Sequence, residues 1–66
     1  MASARWIQID VEEVLVETEQ AFCFLLDEEE YWIPKSQIDD AHEIEQGQVN
    51  IVVRITTWIA EQKGIA

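Results

Sequence analysis

Ser36 and His42 are the residues whose types best suit nucleophilic chemistry. A serine needs a base to take its proton, and His42 follows six residues later, with Asp39 or Asp40 available to orient its ring. That spacing matches no catalytic arrangement, and so short a chain rarely encloses a cleft. We therefore expect Ser36 to bond local backbone, His42 to be a solvated loop residue, and the protein not to be an enzyme.

The acidic residues beside His42 raise the question of a metal site. Carboxylate oxygens suit Ca²⁺ or Mg²⁺, but the alternating Asp/Asn, central Gly and closing Glu of a calcium loop are out of register here. The single cysteine, Cys23, excludes an internal disulfide framework and every multi-cysteine zinc site. We expect no metal, no cofactor and a buried Cys23. The acidic residues in question are Asp39, Asp40, Glu43 and Glu45.

Aromatic and basic side chains form the set best suited to binding. Every Lys or Arg lies within five positions of a tryptophan. If they converge on one face, they form a patch able to stack on bases or grip a peptide. The alternative is core use, which we expect for Trp58 and leave open for Trp6 and Trp32, with Trp32 or Tyr31 filling the interior. The candidate partner-binding residues are Trp6, Tyr31, Trp32, Pro34 and Lys35.

The charge balance limits the partners. Fourteen acidic residues against four basic ones give a net charge of −10, and all but one of the acids fall between Asp10 and Glu45. Phosphate contacts need Lys and Arg, so direct nucleic-acid binding is disfavoured. The acids are interpreted first as solvated strand faces and turns that keep the protein soluble and block edge-to-edge association. A functional acidic surface remains the alternative.

Length and hydropathy indicate one folded domain over residues 1–66, with residues 1–4 expected to be disordered. A 66-residue chain has room for a single core. No basic, apolar, small-residue signal stands at the N-terminus, and the longest apolar run is the six residues Ala21–Leu26. Neither secretion nor membrane spanning is expected. A reducing cytoplasm fits best.

Period-two alternation predicts the first strand. Ile7, Ile9 and Val11 alternate with polar residues, after which the apolar positions become even-numbered at Val14 and Val16. One extra residue near 12–13 explains the slip, and we prefer a β-bulge to a break between two strands. Residues 21–26 are apolar on both parities, which is typical of a strand covered on both sides.

Polar runs, Pro34 and Gly64 predict the bounds of the remaining elements. Polar turns are predicted at 17–20 and 27–30, a third strand at 30–33, and a strand end at Pro34. Residues 35–38 predict a short 3₁₀ turn, 39–48 an irregular acidic segment anchored by Ile44, and 49–55 a clear last strand. Thr56 caps a helix that Gly64 stops, with Ile65 folding back. That helix is expected to dock through Trp58, Ile59 and Ile65.

These elements predict a mainly β fold, a small Src-homology-3-like barrel of four or five antiparallel strands with one short C-terminal helix. An exposed edge strand would also allow a homodimer by sheet extension.

Two motifs also resemble those of a known group of modules. Tyr31-Trp32-Ile33-Pro34-Lys35-Ser36 and Trp58-Ile59-Ala60-Glu61-Gln62-Lys63-Gly64 resemble the strand end and closing helix of small uncharacterised bacterial and phage β-barrel modules. The similarity spans roughly residues 5–65. Glu28-Glu29 stands where such modules usually have a turn glycine. The resemblance implies a compact β module, found alone or beside phage replication and recombination proteins, and no catalytic residues.

Three functions follow as hypotheses. The first is a non-enzymatic module that binds an unknown protein partner through the face around Trp32, Pro34 and Lys35. The second is an acidic nucleic-acid mimic that occupies a DNA- or RNA-binding protein. The third is weak binding of single-stranded nucleic acid through an aromatic-basic patch.

Overall fold

The computed structural model describes residues 5–65, which form four antiparallel strands in one open sheet and one short helix. The predicted disorder of residues 1–4 lies outside the described residues. The sheet order is β3-β2-β1-β4. The elements are β1 (Trp6–Glu17), β2 (Ala21–Leu26), β3 (Glu29–Pro34), 3₁₀ turns at Lys35–Gln37 and Ala41–Glu43, β4 (Val49–Thr56) and α1 (Thr57–Gln62).

The long strand β1 is shared by two partners. Its first part pairs with β4, from Trp6 opposite Thr56 to Glu13 opposite Val49. Its last part pairs with β2, from Glu13 opposite Leu25 onward. The side of β1 that faces the core changes from odd to even positions along this strand, as Val11 and Val14 are both buried. One strand therefore takes part in two ladders.

The predicted continuity of β1 is confirmed, and the core-facing side changes from odd to even positions between Val11 and Val14, around the predicted residues 12–13. The β1–β4 ladder keeps its register from Trp6 to Glu13. A separate register shift in the β1–β2 ladder falls between Val14 and Val16 and places an extra residue at Leu15. It returns the core-facing positions to odd numbers, with Glu17 opposite Phe22, and no sequence pattern predicted it.

The sheet is not closed into a barrel, contrary to the prediction. β3 and β4 lie at opposite edges of the sheet, and no ladder joins them within residues 5–65. Only an isolated bridge between Ile38 and Ile55 links the segment after β3 to β4. Pro34 ends β3, and the chain continues as a 3₁₀ turn instead of a strand, so closure stops at one bridge.

One hydrophobic core lies against the inner face of the sheet. The rings of Phe22 and Phe24 stack with centroids 5.6 Å apart, and both side chains are fully buried. Ile44 is buried in this core and anchors the irregular segment, as predicted, and Ile38 is buried beside the end of the 3₁₀ turn. The buried apolar residues that form this core are Ile9, Val11, Val14, Phe22, Phe24, Leu26, Ile33, Ile38, Ile44, Val53, Ile55, Ile59 and Ala60.

The β2–β3 turn is tighter than predicted. It consists of Asp27 and Glu28 alone, and β3 begins at Glu29. Both turn residues have left-handed backbone angles, with φ of 51° and 68°. Two consecutive residues with positive φ are typical of the type I′ turn, whose twist matches the flanking strands. The turn sequence is acidic and lacks the glycine that usually marks a two-residue turn, so its short length was not predicted.

The helix boundaries follow the predicted caps. The hydroxyl of Thr56 accepts a hydrogen bond from the backbone N–H of Ile59 at 3.2 Å. Gly64 has a φ of +73°, and the N–H of Ile65 donates to the carbonyl of Ala60 at 2.8 Å. Ile59 and Ala60 are buried and Ile65 packs on the core. Docking through Ile59 and Ile65 is therefore confirmed.

The predicted core position of Trp58 is wrong. Its side chain is 59% exposed. In a helix of six residues only one narrow stripe can face the sheet, and Ile59 and Ala60 occupy it. At 3.6 residues per turn, Trp58 lies roughly 100° around the helix axis from Ile59 and roughly 200° from Ala60, so its side chain projects away from the sheet. Among residues 5–65 the structure has no helix that is both long and apolar enough to cross a membrane.

Candidate functional site

The candidate site is the outer face of the three strands β1, β2 and β3, defined as the side opposite the Phe22 and Phe24 rings. Strand pairing places Val16, Cys23 and Trp32 in one row across three strands. Side chains directly opposite one another on neighbouring strands project from the same face. Ala21 and Pro34 form the adjacent pair on this face. The outer face therefore presents a continuous apolar band.

Cys23 lies at the centre of this band and is nearly inaccessible, with 1% of its surface exposed. Its neighbours in the row are Val16 on β1 and Trp32 on β3. Burial raises the pKa of the Cys23 thiol, and the nearby carboxylate of Glu30 raises it further. The 1% exposure confirms the prediction of a buried Cys23, and a raised pKa disfavours the reactive thiolate.

Trp32 and Val16 carry the exposed part of the band. Trp32 is 44% exposed and Val16 is 38% exposed, and they flank the buried thiol on either side. A tryptophan fixed on a strand offers a large rigid surface with few rotatable bonds to order on binding. This arrangement suits contact with an apolar or aromatic group of another molecule.

An acidic row borders the band on one side. Glu13 and Glu30 stand opposite Leu25 on the two neighbouring strands, so all three share the outer face. Glu30 is exposed and Glu13 is half-buried. The outer face is thus apolar in the middle and negative along one border. A complementary surface would have an apolar centre and a basic margin.

The five predicted binding residues do not share one surface. Trp32 and Pro34 lie on the outer face. Tyr31 stands opposite Phe24 and packs against the core from the inner side. Burial raises the pKa of the Tyr31 hydroxyl, with further contributions from the carboxylates of Glu29 and Asp27.

Lys35 also belongs to the inner side. Its Nζ lies 2.8 Å from a carboxylate oxygen of Glu17 and 4.8 Å from the centre of the Phe22 ring. Both contacts hold the ammonium group over the edge of the core. Lys35 therefore closes the end of the hydrophobic core and does not extend the surface around Trp32.

Trp6 lies at the far end of β1. It stands opposite Thr56 and is 37% exposed. Val16 lies ten positions further along β1, at most roughly 33 Å away at about 3.3 Å per residue. Trp6 pairs with β4 and Trp32 with β2, so strand pairing does not bring the two indoles together.

The residues considered for catalysis lie apart from this face. Ser36 and His42 occupy different 3₁₀ turns, both exposed, and no hydrogen bond joins them within residues 5–65. The nearest acid to His42 is Glu43, with Nε2 and a carboxylate oxygen 3.9 Å apart at the surface. No group of three potential ligands converges among the described residues.

Sequence reasoning found Trp32 and Pro34 but missed their neighbours. Val16, Ala21 and Leu25 were assigned to strands without a binding role. The signal was present in β2, where residues 21–26 are apolar at both odd and even positions. The even positions fill the core, so the odd positions had to supply an apolar surface on the other face. No protein-family model, curated protein or solved structure matches this chain.

Proposed function

We propose that this protein is a non-enzymatic protein-binding module whose outer face contacts an apolar surface with a basic margin on a partner. The observation that carries the proposal is the Val16–Cys23–Trp32 row, which lies on the side of the sheet opposite the core. An antiparallel sheet that meets water on one face usually carries polar residues there. A contiguous exposed apolar patch with a polar border is typical of interaction sites.

Trp32 is expected to supply most of the binding free energy. Tryptophan is enriched among the few interface residues that supply most of the binding free energy. Trp32 lies within a paired strand beside its β2 partner Cys23, and an indole has only two side-chain torsions to order on binding. Covering its exposed surface and that of Val16 would also shield the thiol completely.

Charge favours a basic partner. Glu13 and Glu30 border the band, and the chain as a whole carries −10. Attraction between opposite charges accelerates the encounter of two proteins, and salt weakens this attraction. A partner with an acidic surface would be repelled. We expect the association rate to fall as ionic strength rises.

Affinity capture with matched tryptophan variants tests the proposal. Wild type, Trp32→Ser and Trp58→Ser would be immobilised and exposed to a lysate, and captured proteins would be identified by mass spectrometry. Trp58 is the control because it is at least as exposed but lies on the helix. We expect a basic protein that Trp58→Ser retains and Trp32→Ser loses.

Direct measurement with that purified partner completes the test. Removing a central tryptophan should weaken Kd by at least about tenfold, equivalent to about 1.4 kcal/mol. Glu30→Lys should slow association while leaving the fold unchanged. Equal affinity of wild type and Trp32→Ser would overturn the proposal.

The acidic-mimic alternative has weaker support. A mimic must present its carboxylates in a spaced row along one side. Here acids lie on the outer face at Glu13 and Glu30, beside the core at Glu17, in the turn at Asp27, and on the helix at Glu61. Their spread over several sides fits a solubilising role better.

Binding of single-stranded nucleic acid has one supporting observation, the partial exposure of all three tryptophans. It is opposed by the ion pairs that occupy two of the four cations, Lys35 with Glu17 and Arg54 with Asp39. Tryptophan fluorescence at low salt, with and without an oligonucleotide, separates this function from protein binding.

A Src-homology-3-like arrangement remains part of the proposal. The meander of three strands, the 3₁₀ turn at Lys35–Gln37 and the last strand beside β1 support that order of elements. We also propose a cytoplasmic location, because Cys23 is a free thiol and the cytoplasm keeps thiols reduced.

A further inference from the structure

The outer edge of β4 exposes backbone groups in a defined pattern. The carbonyl of Arg54 accepts a hydrogen bond from the N–H of Asp39 at 2.8 Å, so the backbone groups of Arg54 point away from β1. In an antiparallel ladder, residues alternate between facing the partner strand and facing away from it. Since β1–β4 pairing is regular from Arg54 to Val52, the N–H and C=O of Val52 also point outward.

From Val53 back toward Val49, no strand of residues 5–65 covers this edge. Within those residues, the backbone of the segment after β3 bonds to β4 only at the Ile38–Ile55 bridge and through the Asp39–Arg54 bond. Among the described residues, no hydrogen bond outside the β1 ladder involves Val52. The Val52 side chain is itself among the large exposed apolar groups.

A groove of about 250 Å³ runs along this open edge. One wall is β4 from Ile51 to Arg54, and the other is the irregular segment around Asp40, Glu43 and Ile44. Asp39 is engaged by Arg54, whose Nη1 lies 3.2 Å from its carboxylate. Asp40 and Glu43 are exposed, and neither forms an ion pair with a Lys or Arg of the described chain. The groove thus combines backbone donors and acceptors, apolar lining and free negative charge.

The two edges of the sheet differ in their protection. β3 carries Glu29 and Glu30 and ends in Pro34, three features that discourage pairing with another strand. The stretch 46–53, which contains most of the free part of β4, has no charged residue although the chain as a whole is strongly acidic. Acidic protection is therefore absent from the strand whose backbone is available.

We propose that the β4 edge binds an extended basic segment of a partner protein, which adds to the sheet as a fifth strand. The segment would exchange backbone hydrogen bonds with Val52, place one apolar side chain against Ile44, and direct Lys or Arg toward Asp40 and Glu43. Charge selects this occupant over a second copy of the chain, because a second copy would bring a further net charge of −10 to an acidic groove. The inference concerns a surface separate from the outer face and does not depend on it.

Nuclear magnetic resonance titration of the whole chain provides the test. The probe is the synthetic peptide acetyl-(Lys-Val)₄-amide, and its acidic counterpart acetyl-(Glu-Val)₄-amide is the control. We expect saturable shifts of the amide signals of Val52, Asp40 and Glu43 with the basic peptide and none with the acidic one. Equal binding of both peptides would overturn the proposal.

Charge variants test the acidic wall. Asp40→Asn keeps a residue type that tolerates the left-handed backbone observed there, where φ is 55°. Together with Glu43→Gln it should weaken peptide binding by about 2- to 30-fold, as the loss of two exposed ion pairs would. Glu61→Gln on the helix removes the same kind of charge elsewhere and should change nothing. An unchanged Kd in the double variant contradicts the assignment of this wall.

Backbone variants test strand addition itself. Val52→Pro removes only an outward N–H, so the β1 ladder should persist while peptide binding falls at least tenfold. If that variant does not fold, a peptide N-methylated on alternate residues removes the same bonds from the other side. Full binding of the N-methylated peptide would exclude a fifth strand.

Two further readouts separate the remaining occupants. Trp32→Ser should bind the peptide like wild type, which keeps this result independent of the outer face. Val52 signals that shift with protein concentration in the absence of peptide would show that a second copy occupies the edge, and would overturn the proposal.

Discussion

The two halves of the sheet solve the problem of burial differently. In the hairpin half, formed by β2, β3 and the end of β1, both faces are apolar: Phe22 and Phe24 on the inner side, and Cys23 with Trp32 on the outer side. In the β4 half, formed by β4 and the start of β1, the inner face is covered by the helix and the irregular segment. Its outer face mostly pairs polar residues, such as Gln8 with Arg54.

The comparison shows which apolar surface is needed for folding and which is additional. A sheet of this size needs only one apolar face, and the β4 half has that minimum. The hairpin half carries a second apolar face, on which Trp32 and Val16 remain exposed. Apolar surface beyond the needs of the core, on strands that are already well paired, is the property we assign to partner binding.

The largest expected effect comes from the inner face of the hairpin half. Phe24→Ala should lower the free energy of unfolding by about 3–5 kcal/mol, because it removes a fully buried stacked ring. A domain of this size has roughly 3–10 kcal/mol in total, so the variant should be largely unfolded at 25 °C by circular dichroism. Phe24→Leu should remain folded and lose less than about 1.5 kcal/mol. A fully folded Phe24→Ala would place the core elsewhere.

Cys23→Ser tests whether the outer face of the same half is truly desolvated. A hydroxyl at this buried position between Trp32 and Val16 would lack a hydrogen-bond partner. Urea denaturation should therefore show a loss of about 1–3 kcal/mol in the free energy of unfolding. Cys23→Ala is the control and should lose less, since it adds no polar group. If serine and alanine cost the same, the thiol site is wetter than its 1% exposure indicates.

Thr56→Ala tests the β4 half through its helix cap. The Thr56 hydroxyl donates to the side-chain oxygen of Gln37 at 2.7 Å and accepts from Ile59. Losing this cap should cost about 1–2 kcal/mol in urea denaturation. Thr57→Ala, one residue later and without such bonds, should be nearly neutral. Similar losses in both variants would contradict the role of the cap.

Stability should depend on alkaline pH through Cys23. Its pKa is raised in the folded state, so its contribution is fully present below the unfolded pKa of about 8.5 and is lost as pH rises through the folded value. The slope from this group cannot exceed about 1.4 kcal/mol per pH unit. Urea denaturation of wild type between pH 8 and 10 should therefore show a steeper fall than that of Cys23→Ala. Parallel curves would contradict the raised pKa.

The smallest expected effect is a gain. Glu28 adopts a φ of 68°, which an L-residue disfavours. Glu28→Gly should raise the free energy of unfolding by about 0.5–1 kcal/mol, because glycine adopts this angle without strain. Glu29→Gly, in the strand itself, should lower it by a similar amount. A loss in both variants would show that the turn is not of the I′ type.

Local patterns in the sequence predicted the elements well. Residues 21–26 were assigned to β2 with the observed bounds, and Thr56 and Gly64 marked the helix ends. These features depend on neighbours in the chain. The mainly β class with one short helix followed from them directly.

Features set by distant parts of the chain were not predictable. Whether the sheet closes depends on how β3 meets β4, and no local pattern encodes that meeting. The orientation of Trp58 was missed because Ile59 and Ala60 compete for the same contact. The outer face was half predicted: Trp32 stood out by its type, whereas Val16 joins it only through the register of the β1–β2 ladder.

The pairing of β1 with two strands has a consequence for the order of folding. Its pairing with β2 joins residues separated by a short turn, whereas Trp6 meets Thr56 only after the intervening chain has been brought together. Closing long loops costs entropy before any contact compensates for it. The meander should therefore form early in folding, and β4 should dock on it late.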